Sequence, residues 1–223
     1  MKKGISVCFL SVLFLLLLNN CNENISPAPT GTDVIMPLAV GNYWIGQSNS
    51  YSVTDIFKKP VSSSFDTLKI LSDTTINGLQ WYKLNEGICL RNTGNSLNTH
   101  PYADHPLLFF GTKFPASVGD TFNTEKIYCI VGTCDYGFIL DSGYSYYKVV
   151  KTDTVISVPK GQFHCYEIRK YSVTTSDPTP KISCPIYYLS VNVGLVKLIR
   201  NFSTKFDVIY PTSTWELYDY KLY

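Results

Sequence analysis

The 223-residue chain is poor in helix-forming residues and in charge. Alanine occurs four times (Ala28, Ala39, Ala103, Ala116), glutamate five times and methionine twice, and 16% of residues are charged. Alanine and glutamate are among the strongest helix formers, so a helical bundle is not expected. From Pro37 onward no apolar pattern keeps helical spacing for more than two turns. Neither sign of charge is in surplus. Lys and Arg number 19 against 17 Asp and Glu, and the two balance once Lys2 and Lys3 at the extreme N-terminus are set aside. A basic face able to condense on phosphates is therefore missing, which argues against nucleic acid as a partner. The chain also lacks G-x-S-x-G, a P-loop and H-E-x-x-H. No cofactor is implied, and the expectation is a protein that is not an enzyme.

Aromatic residues are abundant instead: 17 Tyr, 12 Phe and 3 Trp within a 45% apolar composition. That content excludes disorder and favours strands. Alternation recurs in Ser50–Phe57, Phe65–Leu71 and Phe163–Arg169, as in strands that bury one face and wet the other. Turn signals separate them at Asn77-Gly78, Asn85-Glu86-Gly87, Val158-Pro159-Lys160-Gly161 and Ser176-Asp177-Pro178. The reading is an all-β fold, a curved antiparallel sheet forming a half-barrel or open barrel, with few helices.

Pro37-Leu38-Ala39-Val40-Gly41-Asn42-Tyr43-Trp44 matches Pro115-Ala116-Ser117-Val118-Gly119-Asp120-Thr121-Phe122 as P-x-x-V-G-[ND]-x-aromatic. Asp73-Thr74-Thr75-Ile76 echoes Asp153-Thr154-Val155-Ile156 at nearly the same offset. The glycine permits a tight turn, Asn or Asp bonds back to it, and the aromatic enters the next strand. Two similar halves are expected, about 37–114 and 115–223. Each would be a curved sheet unable to cover its own apolar face, sharing one core in a single domain 37–223.

The N-terminus reads as an address. Lys2 and Lys3 precede the mostly apolar run Ile5–Leu18. Its fourteen residues rise about 21 Å as a helix, short of a bilayer core of roughly 30 Å. Residues 1–20 therefore read as a signal peptide. Leu18-Asn19-Asn20-Cys21 resembles the lipobox of bacterial lipoproteins, with Asn20 standing where that motif has a small residue. The resemblance implies acylation of Cys21 and attachment to a membrane of the cell envelope. Residues 21–36 then form a lipidated, polar and Pro-rich tether.

Val158-Pro159-Lys160-Gly161-Gln162-Phe163 and the Tyr187–Lys197 segment (YYLSVNVGLVK) resemble a pattern in bacterial envelope lipoproteins. Those proteins are similar to the half-barrel superfamily of lipoprotein carriers. The resemblance covers roughly residues 150–200 and implies a curved sheet cradling acyl chains, its concave face plugged by helices. It leaves an apolar ligand, a glycan or an envelope protein as partners.

Outside the leader and Cys21, five cysteines remain. Cys129 and Cys134 are a disulfide candidate if a hairpin turns at Val131-Gly132. Cys165 and Cys184 are a second candidate, although a turn at Ser176-Asp177-Pro178 sets Cys165 nearer Ser190. Cys89 is left as a small buried hydrophobe. No paired C-x-x-C arrangement supports zinc, and His100–His105 reads as a polar loop in preference to a metal site. Trp44, Trp81 and Trp215 are ligand-binding candidates, as sugar-stacking platforms if exposed and as core if buried. A tethered non-enzymatic binding domain is the first reading, a carbohydrate-binding module the second, and a glycoside-type hydrolase with an unrecognised acid pair the third.

Overall fold

A computed structural model describes residues 33–52, 59–93, 96–100, 112–134, 137–205 and 208–223. The leader, Cys21 and most of the tether lie outside the described residues. Twelve strands are present: β1 (Tyr43–Ser50), β2 (Ser62–Ile76), β3 (Leu79–Leu84), β4 (Cys89–Thr93), β5 (Ser96–His100), β6 (Thr112–Lys113), β7 (Thr121–Cys134), β8 (Gly137–Val158), β9 (Gly161–Thr174), β10 (Lys181–Ser190), β11 (Gly194–Lys205) and β12 (Val208–Lys221). Among the described residues there is no helix. The fold is all-β.

The strands form one antiparallel sheet in the order β6-β5-β4-β3-β2-β1-β12-β11-β10-β9-β8-β7. It consists of two six-stranded meanders joined where β1 pairs with β12, Trp44 opposite Tyr220 and Ser48 opposite Trp215. Consecutive strands β6 and β7 therefore occupy opposite edges and are not bonded to each other. Laid flat, twelve strands at roughly 4.8 Å would separate those edges by about 50 Å. The seven residues 114–120 that connect them reach only about 25 Å. The sheet must curl, and bulges at Ile45/Gly46 and Tyr188/Leu189 add to its coiling. The result is a curved sheet that is not closed into a barrel.

Both P-x-x-V-G motifs make the same turn at the start of their meanders. Gly41 and Gly119 have φ of 97° and 98°, a region that glycine enters without steric cost. Gly41 N–H donates to the Ile70 carbonyl at 2.9 Å, and Ile70 N–H returns to Asn42 at 2.9 Å. Gly119 and Asp120 hold Val149 in the same way, at 2.8 and 3.0 Å. Asn77 and Gly78 both have positive φ, as the tight β2–β3 hairpin requires.

The core lies on the inner, concave face. Trp44, Leu68, Ile70, Leu84, Leu90, Val149, Ile168, Val196, Leu198 and Leu217 pack there with Tyr187 and Trp215, and Phe163 belongs to the same cluster. The folded chain begins earlier than Pro37, because Ile35 and Met36 are buried in this cluster, each about 5% exposed or less. Their segment is held from two strands or turns. Asn192 N–H donates to the Val34 carbonyl at 2.8 Å, and Val34 N–H donates to Asn192 Oδ1 at 3.1 Å. Asn192 Nδ2 also reaches Asp33, while Asn92 Nδ2 donates to the Met36 carbonyl at 3.0 Å. Val34, Ile35 and Met36 form a short apolar run, and burying Ile35 and Met36 in the core is favoured over leaving them in water.

Candidate functional site

The strands have a lower end, carrying the turns at Gly41, Asn77-Gly78 and Asn192, and an upper end, where β1 leads to β2 and β9 to β10. Inner-face positions alternate along each strand, and their chemistry changes from bottom to top. On β1 they read Trp44, Gly46, Ser48; on β2, Leu68, Asp66, Ser64; on β12, Leu217, Trp215, Ser213; on β11, Val196, Leu198, Arg200. Further round, Val149 and Tyr147 give way to Ser145 on β8, and Ile168 to Lys170 and Ser172 on β9. The lower half is apolar and packed. The upper half is lined with hydroxyls and charge.

An open hollow of about 390 Å³ lies over β3 and β4 near the lower end, lined by Leu38, Gln80, Tyr82, Arg91 and Asn92. Beside Ile35, a cavity of about 10 Å³ is lined by Asp33, Val34, Asn92, Ser96, Leu97 and Phe114. That holds about one water. Ile35 and Met36, from the chain's own lead-in, pack into the core at this end.

The upper half contains a polar cluster at the centre of the sheet. Arg200 Nη2 lies 3.5 Å from Asp66 Oδ2, and Ser48 Oγ donates to the same oxygen. In the sheet order β11 and β2 are three strands apart, so only inward curvature brings this pair together. Trp215 lies beneath it. A Cβ built on Gly46 would stand 1.7 Å from Trp215 Cε2 and 2.0 Å from its Nε1, so the indole lies directly on a backbone without a side chain. Gly46 is the ladder partner of Asp66, so the indole and the Asp66 side chain are neighbours on this face. Trp215 Nε1 and Arg200 Nε are both buried with no hydrogen-bond partner among the described residues. Ser145 Oγ, on the same face, is a third such atom.

The three tryptophans therefore divide. Trp44 is 1% exposed and donates its Nε1–H to the Val193 carbonyl at 2.6 Å, so it is core. Trp215 is equally enclosed and offers no open ring face. Trp81 is on the outer face, half-buried, with His100 5.7 Å from its ring and the Arg91 guanidinium 5.9 Å above it. These positions do not form the coplanar exposed platforms expected of sugar-stacking residues. The reason is the alternation itself, which turns Trp44 and Trp215 inward while Trp81 faces out.

The cysteine pairings also differ from expectation. β7 runs straight through Val131 and Gly132, and its hairpin with β8 closes after Cys134, which pairs with Gly137. Gly132 is absorbed by a bulge between Val131 and Thr133. Cys129 and Cys134 thus share one strand instead of facing each other across a hairpin. Cys165 is a free, buried thiol, and burial pushes its pKa up. Cys184 falls in the bulge opposite Lys170 and Arg169, several residues from Cys165, so these two do not pair. Cys89 is buried and free.

The outer face carries a separate charged row. Glu167, 3% exposed, accepts from Arg169 Nε at 2.6 Å and is approached by Lys151 Nζ at 3.8 Å. Lys197 pairs with Glu216 at 2.6 Å. Burial, with the Glu167 charge second, pushes the Tyr188 phenol up to about 12. Glu167 and Glu216 are three strands apart, or about 14 Å at roughly 4.8 Å per strand. Hydrolytic acid pairs stand about 5–9.5 Å apart, so these two glutamates do not make one. His164 pairs with the exposed Asp153. Among the described residues no group of three or more His, Cys, Asp or Glu could hold a metal. The loop from Pro101 to His105 lies outside the described residues.

Sequence reasoning did not single out Asp66, Arg200 or Ser48. The signal was present in the hydroxyls at every second position of Ser48-Asn49-Ser50 and Ser62-Ser63-Ser64, on strands whose other ends carry core residues.

No family model and no curated protein matches the chain. Among solved structures it is similar to a candidate lipoprotein from Parabacteroides distasonis ATCC 8503, at 14% identity and a TM-score of 0.42. That similarity covers 85% of this chain and 99% of the other. A likeness of this size carries no argument about function.

Proposed function

We propose that the chain is a lipid-anchored, non-enzymatic protein of the bacterial cell envelope, whose β domain binds a polar partner on the upper inner face. Support for the anchor comes from the fourteen-residue apolar run and Cys21 immediately after it. Eleven residues lie between Cys21 and Asp33, and their twelve steps at roughly 3.3 Å each reach about 40 Å. The acyl chains would contribute about 0.8 kcal/mol per buried methylene, enough in combination for stable attachment.

The observation that carries the binding reading is the division of the inner face. Ile35 and Met36 pack in its apolar half, and its polar half keeps buried donors without partners among the described residues. Donors of this kind match a partner rich in hydrogen-bond acceptors. Mass spectrometry of the mature N-terminus, with detergent-phase partitioning, tests the anchor. Acylated Cys21 and partitioning lost in Cys21→Ser are expected. An unmodified mature terminus elsewhere in the chain contradicts it.

A further inference from the structure

We infer that the upper inner face is a saccharide-binding site, in which Trp215, Arg200 and Asp66 hold the hydroxyl groups of a neutral sugar; this rests on the reading of that face as the binding surface. Three polar atoms on one concave surface, Trp215 Nε1, Arg200 Nε and Ser145 Oγ, are buried and unpartnered among the described residues. Buried N–H groups in folded proteins are nearly always satisfied, and leaving one unmade costs about 1–3 kcal/mol. Trp215 is 99% enclosed, yet its N–H finds no acceptor, while the other enclosed inner-face tryptophan, Trp44, has one at 2.6 Å. The difference is local. Trp44 lies among apolar side chains beneath the Val193 carbonyl, and Trp215 lies against Gly46 beside Asp66.

The partners present define the chemistry of what is missing. Two N–H groups donate only, and the Asp66 carboxylate accepts only. A ligand must therefore accept from Arg200 and Trp215 and donate to Asp66. A hydroxyl does both, and neighbouring hydroxyls on a sugar ring do so at adjacent points. A carboxylate or phosphate would meet the Asp66 charge directly, in a site where the guanidinium already faces that carboxylate. The lining continues as hydroxyls and one amine through Ser48, Ser64, Ser172, Ser183 and Lys170. Ser172 Oγ donates to Ser183 Oγ at 3.1 Å, so part of this lining is fixed in place. Asp66 and Arg200 keep 39% and 28% of their side chains exposed, so this pair meets solvent.

The test is titration of the full-length protein in detergent with glucose, galactose, mannose, N-acetylglucosamine and their common disaccharides, read by saturation-transfer NMR and calorimetry. Sodium acetate serves as the anionic probe. Saturable binding of at least one neutral sugar is expected. Asp66→Asn and Arg200→Gln should each weaken it about tenfold or more, the worth of one charged hydrogen bond. Asp66→Asn preserves shape, and an unchanged melting temperature keeps it informative if Arg200→Gln fails to fold. No saturable sugar binding, or binding indifferent to Asp66→Asn, overturns the inference in favour of water alone. Competition by acetate overturns it in favour of an anion. Cys21→Ser separates the two proposals: loss of partitioning with sugar binding intact supports both, and retained partitioning defeats the anchor alone. An anchored protein that binds no sugar defeats only the present inference.

Discussion

Along β1, β2, β11 and β12 the inner face is built twice over in different materials. At the lower end Trp44, Leu68, Val196 and Leu217 fill the space between strands, and Ile35 and Met36 complete it. At the upper end Ser48, Asp66, Arg200 and Ser213 occupy equivalent positions on the same strands. The backbone ladder is continuous through both. Sheet formation therefore does not depend on which chemistry lines a given level, but burial does. The lower level supplies the hydrophobic stabilisation, and the upper level presents polar groups.

This comparison is broken most directly by truncation. Leu217→Ala or Trp44→Ala should cost about 3–5 kcal/mol in denaturant unfolding, the range of large cavities in packed cores. Ser64→Ala on the upper level should stay within about 0.5 kcal/mol. Equal costs at both levels would erase the distinction.

Gly46 sits on the boundary. Gly46→Ala drives a Cβ into the Trp215 ring, 1.7 Å from Cε2, so the indole or β1 must move. A loss of about 1–3 kcal/mol is expected, with a change in tryptophan fluorescence. An unchanged emission spectrum would mean that the indole does not rest there.

The third test concerns the lead-in segment. Asn192 has φ of 58° and bonds to both Asp33 and Val34. Asn192→Ala should lose about 1–2 kcal/mol through these bonds and the left-handed backbone. Asn192→Gly, which suits the backbone, should lose less. Proteolysis near Asp33 would report release of Ile35 and Met36 from the core.

The smallest effect is electrostatic. Lys160 holds the Asp219 carboxyl below the usual 3.8, and Asp219 raises the Lys160 amine above 10.5. The acid's depressed value means its stabilisation is present above about 3.8 and fades as pH falls through the folded value. The amine's raised value means its share is present below about 10.5 and fades as pH rises through the folded value. Both side chains are over a third exposed, so salt should screen the pair and its contribution should be under about 1 kcal/mol. Melting curves of Asp219→Asn across pH should approach the parent below about 3.8.

Much of this architecture was legible in the residues. Scarce alanine and alternating Phe163–Arg169 pointed to strands, and the two V-G turns announced themselves by Gly41 and Gly119. The disulfide hairpin was not legible, because Gly132 serves a bulge as well as it would serve a turn, and only the partner strand decides. The inward assignment of Trp215 and outward assignment of Trp81 depend on register, which a bulge such as Ile45/Gly46 shifts by one residue. The Asp66–Arg200 pair was hidden for a simpler reason. Its members are 134 residues apart and meet only once the sheet has curled.

The division of the inner face is tested most directly by the indole N–H resonances of the protein, followed as the best-binding neutral sugar is added. Trp44 Nε1–H, bonded to Val193, should exchange slowly with solvent and stay where it is, while Trp215 Nε1–H moves with saturation. A Trp215 resonance that ignores the sugar, or a Trp44 resonance that follows it, would contradict the account.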